Sequence, residues 1–405
     1  MKFDIHKFKH KLDSELKKIK KSKDVCDENK KIILDFYRDC VVNGLSIVRI
    51  WKYLYHMRFI AMFFKKSFKE VTKDDVISFI EYIEKKDYSL WTKHDNKIAL
   101  KKFYKWLNGG EYPEVVKWVN TNFNRNNNRL PEELLTPEDI MKLTDVAEIP
   151  RDKALVFVLY ESGCRIGELL SLSIKNVRFD EYGAILIVNG KTGMRRVRII
   201  ASAPILANWL NHHPLKNDLE APLWIIFEAS HKYEPMTYSA TQDTLKRLAK
   251  RAGIKKRINP HSFRHARATY LANKLTEAQM KEYFGWVQGS DMASVYVHLS
   301  GRDVDGALLK LHGLVKEEKK DDELQLRICE RCQEKNSPAQ QFCGRCGSPL
   351  SIKIALSVEE KYRKSDELSY LIFKELIKRN PAIEKEIFEA IKRLGINLSG
   401  IETDK

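Results

Sequence analysis

Between residues 29 and 107 apolar side chains recur every three or four positions, the period of a helix with one buried face. Ile32, Ile33, Phe36 and Tyr37 begin a first helix, and Trp51, Leu54, Tyr55 and Phe59 mark a second. Val76, Ile77, Ile80 and Ile83 mark a third, and Ile98, Leu100, Phe103, Tyr104 and Leu107 a fourth. Thr72 and Asp75 have the spacing of a cap for the third, and Gly109-Gly110 stops the fourth. The pattern predicts an all-helical unit over residues 29–124, preceded by a basic, partly helical arm over 1–28. Arg125 to Arg129 encloses three asparagines and reads as a linker.

Past the linker the pattern changes. Thr136-Pro137-Glu138-Asp139 combines a cap, a first-turn proline and first-turn acids, so it starts a helix. The apolar run Ala154 to Tyr160 predicts a buried helix, broken at Ser162-Gly163 just before Arg165. Ala184 to Val188 and Val197 to Ile200 are strand-like and flank Asn189-Gly190-Lys191-Thr192-Gly193, which predicts a β-hairpin with Lys191 near its tip. Asn259-Pro260 opens a helix on which His261 and Arg264, three residues apart, share a face. Another helix leads to Gly285-Trp286, and Tyr296 follows on a short amphipathic segment.

These elements predict a second unit over 130–315, then a charged linker (316–326), a cysteine cluster (327–350) and a C-terminal helical segment (351–405). In the last, helices over 357–395 divide at Asn380-Pro381, and Ile383, Ile387, Ile391 and Leu394 form a stripe that needs a partner within the assembly. The fold class is mainly α with a small β-hairpin or sheet in the second unit, an α+β arrangement, and no internal repeat is found.

Charge sharpens this picture. The 405 residues carry a net +17, and residues 1–130 hold 24 Lys and 5 Arg against 10 Asp and 7 Glu, a net of +12. Clustered cations favour a nucleic-acid partner, because each neutralised phosphate releases counterions. No run of 18 apolar residues predicts a membrane span, and the Lys-rich start lacks the apolar core of a secretory signal. A cytoplasmic, nucleoid-associated protein is expected. Cys329-x2-Cys332-x10-Cys343-x2-Cys346 has the spacing of a closed four-thiolate zinc site, with Gly344 and Gly347 easing the second turn.

Two arginines, a lysine, a histidine, a tryptophan and a tyrosine are what phosphodiester chemistry without a metal needs. Arginines clamp the non-bridging oxygens, a lysine on a hairpin protonates the leaving 5′ oxygen, and an indole N–H adds a hydrogen bond. A tyrosine oxygen attacks phosphorus, and a histidine beside it takes or returns its proton. Arg195 and Arg196 compete with Lys191 for the hairpin role, and Tyr270 and Tyr283 compete with Tyr296.

Here the chain resembles the tyrosine recombinases, the phage-integrase family. The resemblance is carried by Glu161-Ser162-Gly163-Cys164-Arg165-Ile166-Gly167-Glu168-Leu169-Leu170, by Val188 to Gly193, by His261-Ser262-Phe263-Arg264-His265-Ala266-Arg267-Ala268-Thr269, and by Tyr283-Phe284-Gly285-Trp286 leading to Val295-Tyr296-Val297-His298. It covers roughly 130–312, and the helical unit before it matches the family's core DNA-binding domain in position and size. The resemblance implies Arg165, Lys191, His261, Arg264, Trp286 and Tyr296 as catalytic residues, with Tyr296 forming a covalent 3′-phosphotyrosine. Trp286 stands where most members carry His and cannot titrate, so proton transfer would rest on Lys191 and His261.

The resemblance further implies double-stranded DNA at recombination sites, a homo-tetramer on DNA, and no nucleotide or catalytic metal. A C-terminal element such as Leu308, Leu309, Leu311 and Leu314 would dock on the neighbouring protomer. The zinc ribbon, with structural Zn2+ on Cys329, Cys332, Cys343 and Cys346, is no standard part of the recombinase core and looks like the archaeal branch; a protein partner for it or for the C-terminal helices is left open. The alternatives are a non-catalytic sequence-specific DNA-binding protein that keeps the fold, and a relaxing activity like that of type IB topoisomerases.

Overall fold

The computed structural model describes residues 4–122, 134–190, 193–228, 231–272, 274–299, 312–313 and 325–380, with 389 and 393. Lys191, the asparagines of the linker, the leucines of 308–314 and the stripe from Ile383 to Leu394 lie outside the described residues.

The first unit is helical. Its elements are α1 (Phe8–Lys21), α2 (Asp27–Val42), α3 (Ile47–Phe64), α4 (Lys73–Lys85), α5 (Leu90–Leu107) and the short α6 (Glu114–Lys117). Thr72 and Asp75 form the expected capping box at the start of α4. Phe36, Phe68, Phe79 and Phe103 are fully buried at the centre.

The basic arm is more ordered than its sequence suggests. Leu12 and Ile19 face α1 inward against α3, and the buried Glu15 is neutralised by Arg58, whose Nε donates to it at 2.5 Å. Ile5, just before α1, packs instead into the core of the second unit, and its carbonyl accepts from the Tyr238 amide at 3.0 Å. Burying such a side chain is worth about 1.5–3 kcal/mol, so the segment before α1 ties the two units together.

The second unit runs α7 (Pro137–Asp145), α8 (Pro150–Ser162), α9 (Ile166–Leu170), β1 (Val177–Asp180), β2 (Gly183–Gly190), β3 (Gly193–Ile199), α10 (Ala203–Asn211), α11 (Tyr238–Arg251), α12 (Pro260–Ala272), α13 (Glu277–Phe284) and α14 (Met292–Leu299). From Ala154 to Ser162 every residue of α8 is buried, because α7, α10, α12 and the sheet surround it. The three strands form an antiparallel meander, with Leu186 opposite Val197, Val188 opposite Arg195 and Gly190 opposite Gly193. β1 is an addition to the expected hairpin. Ala184, Leu186, Val188, Val197 and Ile199 line the buried face. Strand alternation puts Arg195 on that same face and Arg196 on the other.

Beyond the second unit, β4 (Arg327–Ile328) pairs with β5 (Lys335–Asn336), and α15 (Ile352–Arg379) is a largely exposed helix. Among the described residues no helix is long and apolar enough to cross a membrane.

Candidate active site

Three guanidiniums converge on the end of one helix. The last-turn carbonyls of a helix have no intrahelical partner, and the dipole makes that end negative. At the end of α13 these carbonyls take arginines in sequence. Arg195 Nε donates to the Tyr283 carbonyl at 3.1 Å, Arg264 donates to that of Phe284 at 2.7 Å, and Arg165 donates to that of Gly285 at 3.3 Å. Gly285 ends the helix in the left-handed region, at φ 61°, and a Cβ there would lie 2.9 Å from an Arg195 nitrogen. Glycine meets both demands.

Glu168 closes the group from the opposite side. Its carboxylate is 3% exposed and accepts from both terminal nitrogens of Arg195, at 2.9 and 2.8 Å. It also accepts from the Arg165 amide at 2.9 Å and side chain at 3.0 Å. Burial alone would raise this carboxyl, but the hydrogen bond and charge of Arg195, with Arg165, outweigh it and hold Glu168 below its ordinary value.

Arg264 is buried. Besides Phe284 it donates to the Gly163 carbonyl at 2.8 Å, and burial, then the charge of Arg165, push it down to about 10, still a cation at neutral pH. Two of its five N–H groups reach carbonyls in these contacts. The Arg165 side chain is about a third exposed and is the arginine most open to solvent of the three.

Trp286 follows these carbonyls directly. It is sandwiched between Phe284 (centroids 4.9 Å apart, planes at 19°) and Tyr296 (5.5 Å, planes at 3°), and the Arg264 guanidinium lies 5.6 Å from its ring centre. Tyr296, on α14, is 3% exposed, and its hydroxyl lies 2.5 Å from Nδ1 of His265 on α12. The histidine on the tyrosine oxygen is thus His265. His261 sits a turn earlier, exposed in the first turn of α12.

The rival tyrosines have other engagements. The Tyr283 hydroxyl donates to the Glu161 carbonyl at 2.8 Å, and burial pushes its ionisation up. The Tyr270 hydroxyl accepts from Lys274 at 2.7 Å. The structure therefore brings Arg165, Arg264, Trp286 and Tyr296 together. It adds Arg195, Glu168 and His265, which sequence reasoning had not assigned. Arg195 carried a signal in its strand parity with Val197 and Ile199, and His265 in lying four residues, one helical turn, beyond His261.

Residues 133–302 match the family model described as the phage integrase family. That stretch therefore resembles a phage integrase domain. It is 24% identical to the tyrosine recombinase XerA of Pyrococcus horikoshii over 249 residues, 61% of this chain and 81% of that relative. The fold is shared with the Tn1549 transposon integrase solved in complex with transposon right end DNA: TM-score 0.55, 16% identity, 70% of this chain and 99% of that one. It is also shared with a lambda integrase tetramer bound to a Holliday junction: TM-score 0.50, 15% identity, 67% of this chain and 78% of that one.

The chain carries a second cluster of candidate ligands. The sulfurs of Cys329, Cys332, Cys343 and Cys346 lie within 4.8 Å of one another, with Cys329 to Cys346 at 3.6 Å and Cys332 to Cys343 at 3.5 Å. Four thiolates at about 2.3 Å around one tetrahedral ion would stand about 3.8 Å apart, so the cluster fits a metal ion. Lys335 donates to the Glu181 carbonyl at 3.4 Å, which seats the cluster at the β1–β2 turn. The arginine group lies at the other end of β2, where a Cβ on Gly190 would meet Glu168. Seven residue steps of strand separate the two ends by roughly 23 Å.

Proposed function

We propose that this chain is a site-specific DNA recombinase that cuts and rejoins strands through a 3′-phosphotyrosine on Tyr296, without nucleotide or catalytic metal. The observation that carries this reading is the packing of Tyr296 on Trp286, directly after the carbonyls that gather Arg165, Arg195 and Arg264. Arg165 and Arg264 hold the non-bridging oxygens of the scissile phosphate, and being already oriented they need little reorganisation as charge builds there. Lys191 protonates the leaving 5′ oxygen, and His261, exposed at the start of α12, donates to the phosphate.

Glu168 keeps Arg165 and Arg195 side by side in spite of their like charge. In this reading the basic helical unit (29–124) and the catalytic unit (130–315) hold duplex DNA between them, and four copies assemble on two DNA sites; the lambda integrase that shares the fold is a tetramer on a Holliday junction. The cysteine cluster holds structural Zn2+ as a ribbon over 327–350. A cytoplasmic, nucleoid-associated location follows from the substrate.

The test is a suicide duplex, built on the sequence that the full-length chain selects from a random library and nicked so that the cleaved end is lost. A covalent protein–DNA adduct should accumulate and map to Tyr296. An adduct on Tyr283 or Tyr270, or one that survives Tyr296→Phe, would refute the assignment. Specific binding with no adduct would favour a non-catalytic DNA-binding protein. Activity lost to EDTA and restored only by magnesium would refute the metal-free mechanism.

A further inference from the structure

We infer that His265 is the base that takes the phenolic proton of Tyr296 during strand cleavage and returns it during rejoining. The inference rests on the recombinase reading above and gives the proton transfer at the nucleophile to a residue outside the six assigned to the site.

The geometry is specific. Nδ1 of His265 lies 2.5 Å from the Tyr296 oxygen, with the ring centres 5.8 Å apart. Tyr296 is 3% exposed, so bulk water has little access to its hydroxyl. Trp286 stacks on its ring with the planes only 3° apart, which fixes the plane in which that hydroxyl swings. His265 adjoins Arg264, whose guanidinium is pinned to the Gly163 and Phe284 carbonyls, so this turn of α12 is held in place independently of the tyrosine. A neutral imidazole offers one lone-pair nitrogen, and the tautomer with that lone pair on Nδ1 accepts the hydroxyl proton at this distance.

An imidazole is a weaker base than a phenolate, so the proton stays on oxygen in the resting enzyme. It moves only as the tyrosine oxygen bonds to phosphorus. The step balances as follows: the Oη–P bond forms, the P–O5′ bond breaks with its electron pair on O5′, and O5′ takes a proton from the Lys191 ammonium. The phenolic proton passes to Nδ1, leaving an imidazolium. Rejoining reverses each transfer, with the imidazolium protonating the departing tyrosine oxygen.

The experiment measures adduct formation by the full-length chain on the suicide duplex. His265→Asn keeps an acceptor oxygen near the Nδ1 position but cannot take a proton; if it melts early, His265→Gln carries the same test. The expected result is a fall of about 10²–10⁴-fold in the cleavage rate, with duplex binding unchanged. The rising limb of the wild-type pH–rate profile should also disappear. A duplex with sulfur in place of the bridging 5′ oxygen separates base from acid, because a thiolate leaves without a proton. It should rescue Lys191→Ala and leave His265→Asn defective.

Rescue of His265→Asn by the sulfur duplex would make His265 the acid and overturn the inference. So would a His265→Asn rate within threefold of wild type with its pH limb intact. A wild-type chain that forms no adduct would instead overturn the recombinase reading itself.

Discussion

Replacing Glu168 by Gln tests whether the arginine group is built on one buried charge. The carboxylate accepts four N–H groups, two from Arg195 and two from Arg165, and it is 3% exposed. Glutamine retains one acceptor but turns an NH2 toward donors, and it removes the negative charge between two guanidiniums. Breaking a buried ion pair by neutralising one partner costs about 3–5 kcal/mol. For a unit of 150–250 residues about 1 kcal/mol moves Tm by roughly 2–4 °C, so Tm should fall by roughly 6–20 °C.

The pH dependence carries the same signature. Glu168 is held below its ordinary value of 4.5 in the folded chain, so its contribution is complete above that value and is lost as pH falls through the lower, folded one. The stability gap between wild type and Glu168→Gln, followed by circular dichroism, should be full at pH 7 and close below about pH 4.5. Adduct formation at 25 °C, where both proteins are folded, should also slow, because Arg165 and Arg195 lose their shared anchor. A Tm within 2 °C of wild type at pH 7 (below the roughly 2–4 °C that even about 1 kcal/mol would give), or a gap that persists unchanged at pH 3, would refute this account.

Gly285→Ala should cost about 1–2 kcal/mol for the left-handed backbone and displace Arg195, so adduct formation should fall together with Tm. Tyr283→Phe should lose about 1–3 kcal/mol of stability by leaving the buried Glu161 carbonyl unpaired, yet still form the adduct; loss of the adduct in a folded Tyr283→Phe would reopen the choice of nucleophile. Cys343→Ser should abolish stoichiometric zinc measured by mass spectrometry and expose the ribbon to protease, since metal binding supplies on the order of 10 kcal/mol to such a small unit. An intact, protease-resistant ribbon without metal would refute the structural role.

Sequence patterning reached most of the scaffold because the relevant forces are local. The helices α2 to α5 follow from the period of apolar residues, and the caps at Thr72 and Thr136 from hydrogen bonds three residues apart. The β2–β3 pairing follows from alternation around a turn-rich segment. The short strand β1 and the docking of Ile5 escaped that reading. Ile5 is a lone apolar residue in a basic segment, and its partner surface, around Tyr238, is distant in sequence.

The candidate site divides along the same line. Arg165, Arg264 and Tyr296 could be named from residue type, order and spacing, but the feature that assembles the arginines is three backbone carbonyls, at Tyr283, Phe284 and Gly285, and a carbonyl is common to every residue. The same reasoning explains the exchange of histidines. His261 and His265 lie one turn apart on α12 and point in similar directions, so their separate roles depend on where α14 crosses that helix. The crossing brings the Tyr296 oxygen to His265 and leaves His261 exposed. In the proposed mechanism a tryptophan at position 286 is no handicap for proton transfer at the tyrosine. Stacked between Phe284 and Tyr296, it holds the tyrosine ring in plane, and in the proposed mechanism the neighbouring His265 imidazole takes the proton.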